Sequence, residues 1–481
     1  MSTHNRLREL RGAAALSQQD VAERMTRLAA AQGRSGVAVS AHTVSRWERA
    51  KVVPGALNRR LLAEVLGVSV ADLGLDPQPI ASIPDFMEAY VGEDPASADP
   101  RVTRSQEEWQ RARRALNVNR FALTQIAAQL YEPEVVLGGT GLIAPPSWMP
   151  TEPIPLDAIQ LDHEQDAPTP TLDGTEAETA HVRPRKSLVQ RYPRYSNAIR
   201  DLAHPRLFEN RPCWRLTDVS WVQDKGRMAF ADTAYFCAVD VAEVLAHELA
   251  YVALGEDGSL PDRRPVLREL PFRRLVHDPF DLSRRPVLPA ISTLTIRRGA
   301  DGDSFILHRR DPRSVAIAGG MLQVIPSGIF QPSSVLPSGV AVDFGLWRNI
   351  QREYSEELLG NAEHDGDGQP VRYDDEPFVT LDRARADGRL KVFCLGVALD
   401  ALTLISEVLT VAVFDADLFD ELAGDFVEFN DEGLVLTGRA PFTERGVRTL
   451  LDSGRASPGH MAPAGAGCLE LAWQHRDVIL A

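Results

Sequence analysis

Along residues 1–75 apolar positions return every three or four places, the spacing of helices with one buried face. Leu7 and Leu10 give such a stripe to "NRLRELRG", which frays at Gly12. Ser17 opens "SQQDVAERM", where Ser17 and Asp20 form a Ser-x-x-acid capping box and Val21, Ala22 and Met25 supply the inward face. "TRLAAA" prolongs this helix and "QGRSG" makes a looser turn. Ser40 caps a third helix in "VSAHTVSRWERAKVVP", with Val44 and Trp47 inward and Pro54 beyond its end. "LNRRLLAEVLGVSVADL" predicts two more short helices, punctuated by Gly67 as C-cap and Ser69 as N-cap.

Residues 105–134 carry a longer amphipathic pattern, with Trp109, Ala112, Leu116, Leu123, Ile126 and Leu130 on one stripe. Such a stripe either pairs two subunits or packs within its own chain; Arg111, Arg113 and Arg114 read as a solvated face. From 140 to 186 the chain turns Pro-rich and acidic, which predicts an extended linker, disordered around 162–182. Over 187–289 order returns. "WRLTDVSWVQ" and "GRMAFADTAYF" alternate like strands, and "AVDVAEVLAHELAYVAL" reads as a helix. Within it "AHELA" lacks the second His that a zinc-protease helix needs, because residue 251 is Tyr, so His247 and Glu248 are ordinary helix residues.

Alternation resumes in "STLTIRR" and "SFILHRR", joined by the hairpin turn "GADGD". "LKVFCLGVAL" and "LTVAVFDA" add strands, and "TERGVRTLLDSG" a helix. "EHDGDGQP" lacks the ligand order of an EF-hand and reads as a polar turn. Between these lies "REYSEELLG". On an α-helix, Glu353, Glu356 and Glu357 fall within an arc of about 100°. Carboxylates that close repel one another unless cations offset them. Arg352 supplies part of that offset, and Mg²⁺, which prefers carboxylate oxygens, would supply more. A solvent-facing helix with hydrated glutamates is the alternative.

Composition narrows the class. The 481 residues are 44% hydrophobic and 25% charged, as in soluble globular proteins of several domains. No signal peptide or membrane-spanning run is evident, and Cys213, Cys237, Cys394 and Cys468 stand far apart, which together predict a cytoplasmic protein with reduced thiols. The net charge of -15 is unevenly distributed: residues 1–60 hold eleven Lys and Arg against four Asp and Glu, leaving -22 on the remainder. Only a basic head on such an acidic body is drawn to phosphates.

"LSQQDVAERM", "TVSRWERAKVVP" and "LAEVLGVSVADL" together resemble the Cro/C1-type (XRE family) helix-turn-helix domain, over about residues 5–75. The resemblance implies double-stranded DNA as partner, read by a homodimer on two half-sites. It implies Ala41, His42, Ser45 and Arg46 at base edges, Arg46 bidentate on guanine, and Gln18, Arg49 and Lys51 at phosphates. The fourteen residues between Met25 and Ser40 exceed the family's short turn.

The hairpin, the loop Pro326–Gly328 and the Arg-Glu-apolar-x-Glu-Glu helix resemble the Nudix domain, over about 290–480. That implies Mg²⁺ on Glu353, Glu356 and Glu357, Glu353 as the catalytic carboxylate if the domain is active, and a nucleotide-like small molecule as ligand. The box is degenerate. Ser338 and Phe344 stand where its leading Gly and next Glu belong, Gly339 and Asp343 lie one place off, and Gly360 comes one residue late. Weak or absent hydrolysis is the expectation.

The expected fold is therefore multidomain, with an all-α helix-turn-helix head (1–78), a connecting helical segment (100–135), a linker (140–186), an α/β middle region (187–289) and an α+β Nudix-like domain (290–481). Two functions fit: a DNA-binding transcription regulator sensing a nucleotide-type ligand, or a Mg²⁺-dependent hydrolase of nucleoside-diphosphate-linked substrates carrying a helix-turn-helix. A scaffold for protein contacts is the weaker third.

Overall fold

The computed structural model describes residues 6–14, 16–31, 39, 41–48, 56–73, 99–205, 208–255, 258–259, 264–310, 321–361, 370–424, 426, 433–452 and 460–481. Chain contacts divide it into two units, Met1–Ser97 and Ala98–Ala481.

In the first unit every described element is helical: α1 (Leu7–Ala13), α2 (Gln18–Ala31), α3 (Ala41–Glu48), α4 (Ala56–Leu66) and a 3₁₀ turn at Ala71–Leu73. The expected capping box is present, Ser17 Oγ accepting from the Asp20 amide at 3.0 Å while Asp20 Oδ2 accepts from the Ser17 amide at 2.8 Å. Ser69 and Asp72 repeat it. "TRLAAA" does extend α2, to Ala31. Leu7, Val21, Met25, Val44, Trp47, Leu61 and Leu62 close one small core. Ser40, the expected turn over 32–36 and Pro54 lie outside the described residues.

The second unit is built on a nine-stranded mixed sheet. Its main path runs β1 (Leu142–Ile143), β10 (Leu390–Asp400), β11 (Ser406–Asp415), β6 (Pro289–Arg298), β7 (Ser304–Arg310) and β12 (Gly433–Pro441). β2 (Ile154–Pro155), β8 (Leu322–Val324) and β9 (Ser327–Ile329) join from the side. β6 and β11 run parallel over ten residues each, from Pro289 beside Ser406 to Arg298 beside Asp415; the other pairs are antiparallel. Both strands are buried on both faces along nearly their whole length, as in a sheet covered on both sides. Helix Pro463–Gln474 lies against Leu409 of β11, while Tyr354 stacks edge-on to Phe414 of the same strand. Residues of opposite parity face opposite sides, so the two helices sandwich the sheet.

A smaller sheet of β3 (Ile159–His163), β5 (Lys225–Ala234) and β4 (Pro212–Val222) completes the strands among the described residues. β1, β2 and β3 all fall within 140–186, so this segment is not the linker its composition predicts. Short pieces of it are sewn onto β10 and β5, and their prolines fall at strand ends and 3₁₀ turns where no amide is needed. Nor do 187–289 and 290–481 separate, since the whole of 98–481 is one unit.

Helix Tyr235–Ala253 is apolar on nearly every side and correspondingly buried. Its few polar side chains each hold a different neighbour. Asp240 accepts from the Ser196 amide at 2.6 Å, at the start of helix Tyr195–Leu202. Glu248 accepts from the amides of Phe272 (2.7 Å) and Arg273 (2.9 Å), capping helix Pro271–Val276. Glu243 accepts from Arg113 at 2.7 Å and Arg120 at 2.8 Å. The amphipathic segment thus packs within its own unit, as helices Pro100–Val118 and Arg120–Ala128, and Arg113 is buried, not solvated. His247, also buried, meets the Tyr195 hydroxyl at 2.7 Å, and burial beside Arg113 lowers its pKa to about 3.

Burial alone would raise the Glu243 carboxyl, but the two guanidiniums outweigh it and hold it at about 2. A depressed carboxyl contributes stability above its unfolded pKa that is lost as pH falls through the folded one. Glu243→Gln leaves two buried cations without their counter-charge and should cost about 3–5 kcal/mol, read by chemical denaturation at pH 7. As pH falls from about 4.5 to about 2 the gap between wild type and variant should narrow.

Candidate functional site

Among the residues expected at DNA, Ala41, His42, Ser45 and Arg46 all lie on α3, whose Val44 and Trp47 are turned into the core. Ser45 is half-buried; the side chains of Ala41, His42 and Arg46, and the whole of Arg49 and Lys51, are outside the described residues. Gln18 is not simply presented to solvent. Its Nε2 donates to Glu48 Oε2 at 2.7 Å, and Arg11 grips the same carboxylate with Nε and Nη2. Glu48 therefore ties the end of α3 to α1 and to the start of α2. This fixes the angle of α3 despite the long connection before it. Burial raises the Glu48 carboxyl, but hydrogen bonds from Arg11 and Gln18 and the Arg11 charge bring it below the usual range.

In the second unit the glutamate helix begins at Leu346 and remains α-helical to Glu353; Tyr354–Leu358 then forms a π turn. The Leu359 amide donates back to Tyr354 O at 3.2 Å, a five-residue step. A wider turn takes up an extra residue, and the chain has one: Leu358 and Leu359 stand where the motif expects a single residue. Gly360 still ends the helix, with φ +64° and the Asn361 amide on Ser355 O, as in a Schellman cap. The late glycine is accommodated by the π turn.

Glu353 and Glu357 both meet β9. A Cβ on Gly328 would fall 1.9 Å from Glu353 Oε1, so any side chain here would move the carboxylate from where it lies. Glu357, 4% exposed, accepts from the Ser327 amide through Oε2 at 3.0 Å. Glu356 is half-buried. Among the described residues no three His, Cys, Asp or Glu side chains are gathered to hold a metal ion. Two of the three carboxylates, Glu353 and Glu357, thus lie beside the backbone of β9.

Arg352 is buried and raised: burial opposes its charge, and Tyr373 and Asp343 more than restore it. It lies 3.2 Å from Asp343 Oδ1, donates to the Tyr373 hydroxyl at 2.8 Å, and donates to Gln331 O at 2.6 Å. Asp343, one place before the position where the resemblance expects an acid, thus pairs with Arg352. The helix Pro337–Asp343 ends at Asp343, and its carboxylate turns inward to the Ser333 amide and hydroxyl at 2.8 and 2.6 Å. Sequence reading noticed Asp343 only as a misfit and missed Tyr373. A tyrosine 21 positions downstream, beyond a polar turn, carries no local signal of its partner.

No family model matches the chain, and no curated protein sequence matches it.

Glu48→Ala, which removes the acceptor shared by Arg11 and Gln18, should lower the stability of the α1–α4 unit by about 1–3 kcal/mol. That loss is measurable as an earlier thermal transition at pH 7. Because the carboxyl is depressed, the wild-type advantage should fade as pH drops below about 4.

Proposed function

We propose that the protein is an XRE-type DNA-binding transcription regulator whose second unit senses a nucleotide-type ligand. The observation that carries this is the basic helical unit with its own core, in which Glu48 sets α3 against α1 and α2. The excess of cations in residues 1–60 supports phosphate binding there, while the acidic remainder disfavours a second nucleic-acid surface. On this reading α3 enters the major groove, Arg46 reads a guanine, and two copies occupy two half-sites. No helix among the described residues is long and apolar enough to cross a membrane.

The sensing role rests on the Nudix-like arrangement: a mixed sheet between helices, with the arginine-glutamate helix laid across β9. Glu353 and Glu357 lie against the backbone of residues 327–328, which favours holding a ligand over cleaving it. For regulation, the ligand must bind DNA-competent and DNA-incompetent states with different affinity.

A mobility-shift titration against genomic fragments should select a specific duplex whose affinity falls steeply with salt. Arg46→Ala should weaken it by about 1–3 kcal/mol and relax the preference at one base pair. Binding indifferent to salt and to this change would remove the regulator reading. Thermal-shift screening of nucleotide sugars and dinucleotides, each with Mg²⁺ and with EDTA, should show at least one stabilising ligand. In Gly328→Ala the added methyl meets the far end of a flexible side chain, so the fold should lose under about 1 kcal/mol while the ligand-induced shift disappears. Rapid turnover abolished by Glu356→Gln would instead make the hydrolase primary.

A further inference from the structure

The segment 327–333 faces the glutamate helix, and three separate attachments hold it there. At its start the Ser327 amide donates to Glu357 and Gly328 lies under Glu353. Near its end Gln331 O accepts from Arg352, and the Ser333 amide and hydroxyl donate to Asp343. The last two attachments come from side chains that meet at one atom, the phenolic oxygen of Tyr373. That oxygen donates to Asp343 Oδ1 at 2.6 Å and accepts from Arg352 Nη1 at 2.8 Å. All three side chains are buried, Asp343 to 1% and Arg352 to 3% exposure.

We propose that Tyr373 is a positioning residue for the ligand site assigned above, setting the 327–333 segment against Glu353 through Asp343 and Arg352. The inference rests on that functional reading. Its logic is geometric. Arg352 and Glu353 share one helix, so anchoring Arg352 fixes the rotation of the helix that carries the glutamate. Asp343 sits one residue away from the place the box gives its acid, and reaches Arg352 at 3.2 Å. The phenol bridges that longer approach with two shorter hydrogen bonds. It has the right polarity for the task, since a single hydroxyl can accept from the cation and donate to the anion at once. The ring is held independently of the hydroxyl: it packs on Phe378 at 5.1 Å and lies under the Arg348 guanidinium at 4.4 Å. Removal of the oxygen alone therefore leaves the ring seated.

Tyr373→Phe is the test, and Tyr195→Phe is its control. The control also deletes a buried phenol hydroxyl, one that meets His247 and Arg113 beside helix Tyr235–Ala253. UDP-glucose, ADP-ribose and NAD serve as probes by calorimetry, each with Mg²⁺ and with EDTA, on the full chain. Tyr373→Phe should weaken binding of the probe that the wild type takes by about tenfold, the worth of a charge-assisted buried hydrogen bond. Tyr195→Phe should lower the melting temperature yet leave that affinity unchanged. Hydrogen exchange supplies a readout that does not need a ligand: the Ser327 and Ser333 amides should exchange faster in Tyr373→Phe and not in Tyr195→Phe.

Unchanged probe affinity in Tyr373→Phe overturns the positioning role while leaving the sensor intact. Equal weakening in both variants also overturns it, since general destabilisation would then suffice. A wild-type protein that binds none of the probes fails the sensing assignment itself, and this inference falls with it.

Discussion

The larger unit depends on one buried charge arrangement, Glu243 between Arg113 and Arg120. An ionised carboxylate in an apolar interior is costly unless cations and hydrogen bonds meet it. Here both guanidiniums arrive from outside the helix that bears it. Two helices are therefore pinned to the central helix Tyr235–Ala253 at a fixed height and rotation. The same helix spends Asp240 and Glu248 on the starts of two more helices, so its polar side chains act as anchors for four neighbours. Apolar burial supplies the cohesion; the carboxylates decide which helix lies where.

A similar economy governs the glutamate helix. Its sequence departs at three places from the box it resembles, and two of the departures have a local structural answer. The extra residue becomes a π turn, the displaced acid reaches Arg352 from one position earlier, and Tyr373 fills the remaining gap. The outcome is a helix firmly seated on β9 whose carboxylates face the strand.

The strands and caps were legible because they obey local rules. Alternation marked β4, β5, β6, β7, β10 and β11, and the Ser17 capping box and the Ser69 N-cap marked two helix starts. The segment 140–186 was not legible, because strands of two or five residues owe their existence to partners in β10 and β5 far away in sequence. Arg113 misled for the same reason: a lone arginine in a polar run looks solvated until Glu243, 130 residues later, is brought beside it. The candidate site was half legible. The glutamates announced themselves by spacing, whereas Asp343 and Tyr373 acquire meaning only through the tertiary fold.

The parallel pairing of β6 with β11 bears on how the chain comes to be folded. Thr293 and Thr410 share a hydrogen bond across 117 positions, so the centre of the large sheet cannot close until most of the polypeptide has left the ribosome. The helices of residues 6–73 make their contacts over short separations and need no such wait. During synthesis the protein therefore passes through a stage in which the front unit is complete and the sheet edge of β6 is still open. Chaperone demand should concentrate in that interval.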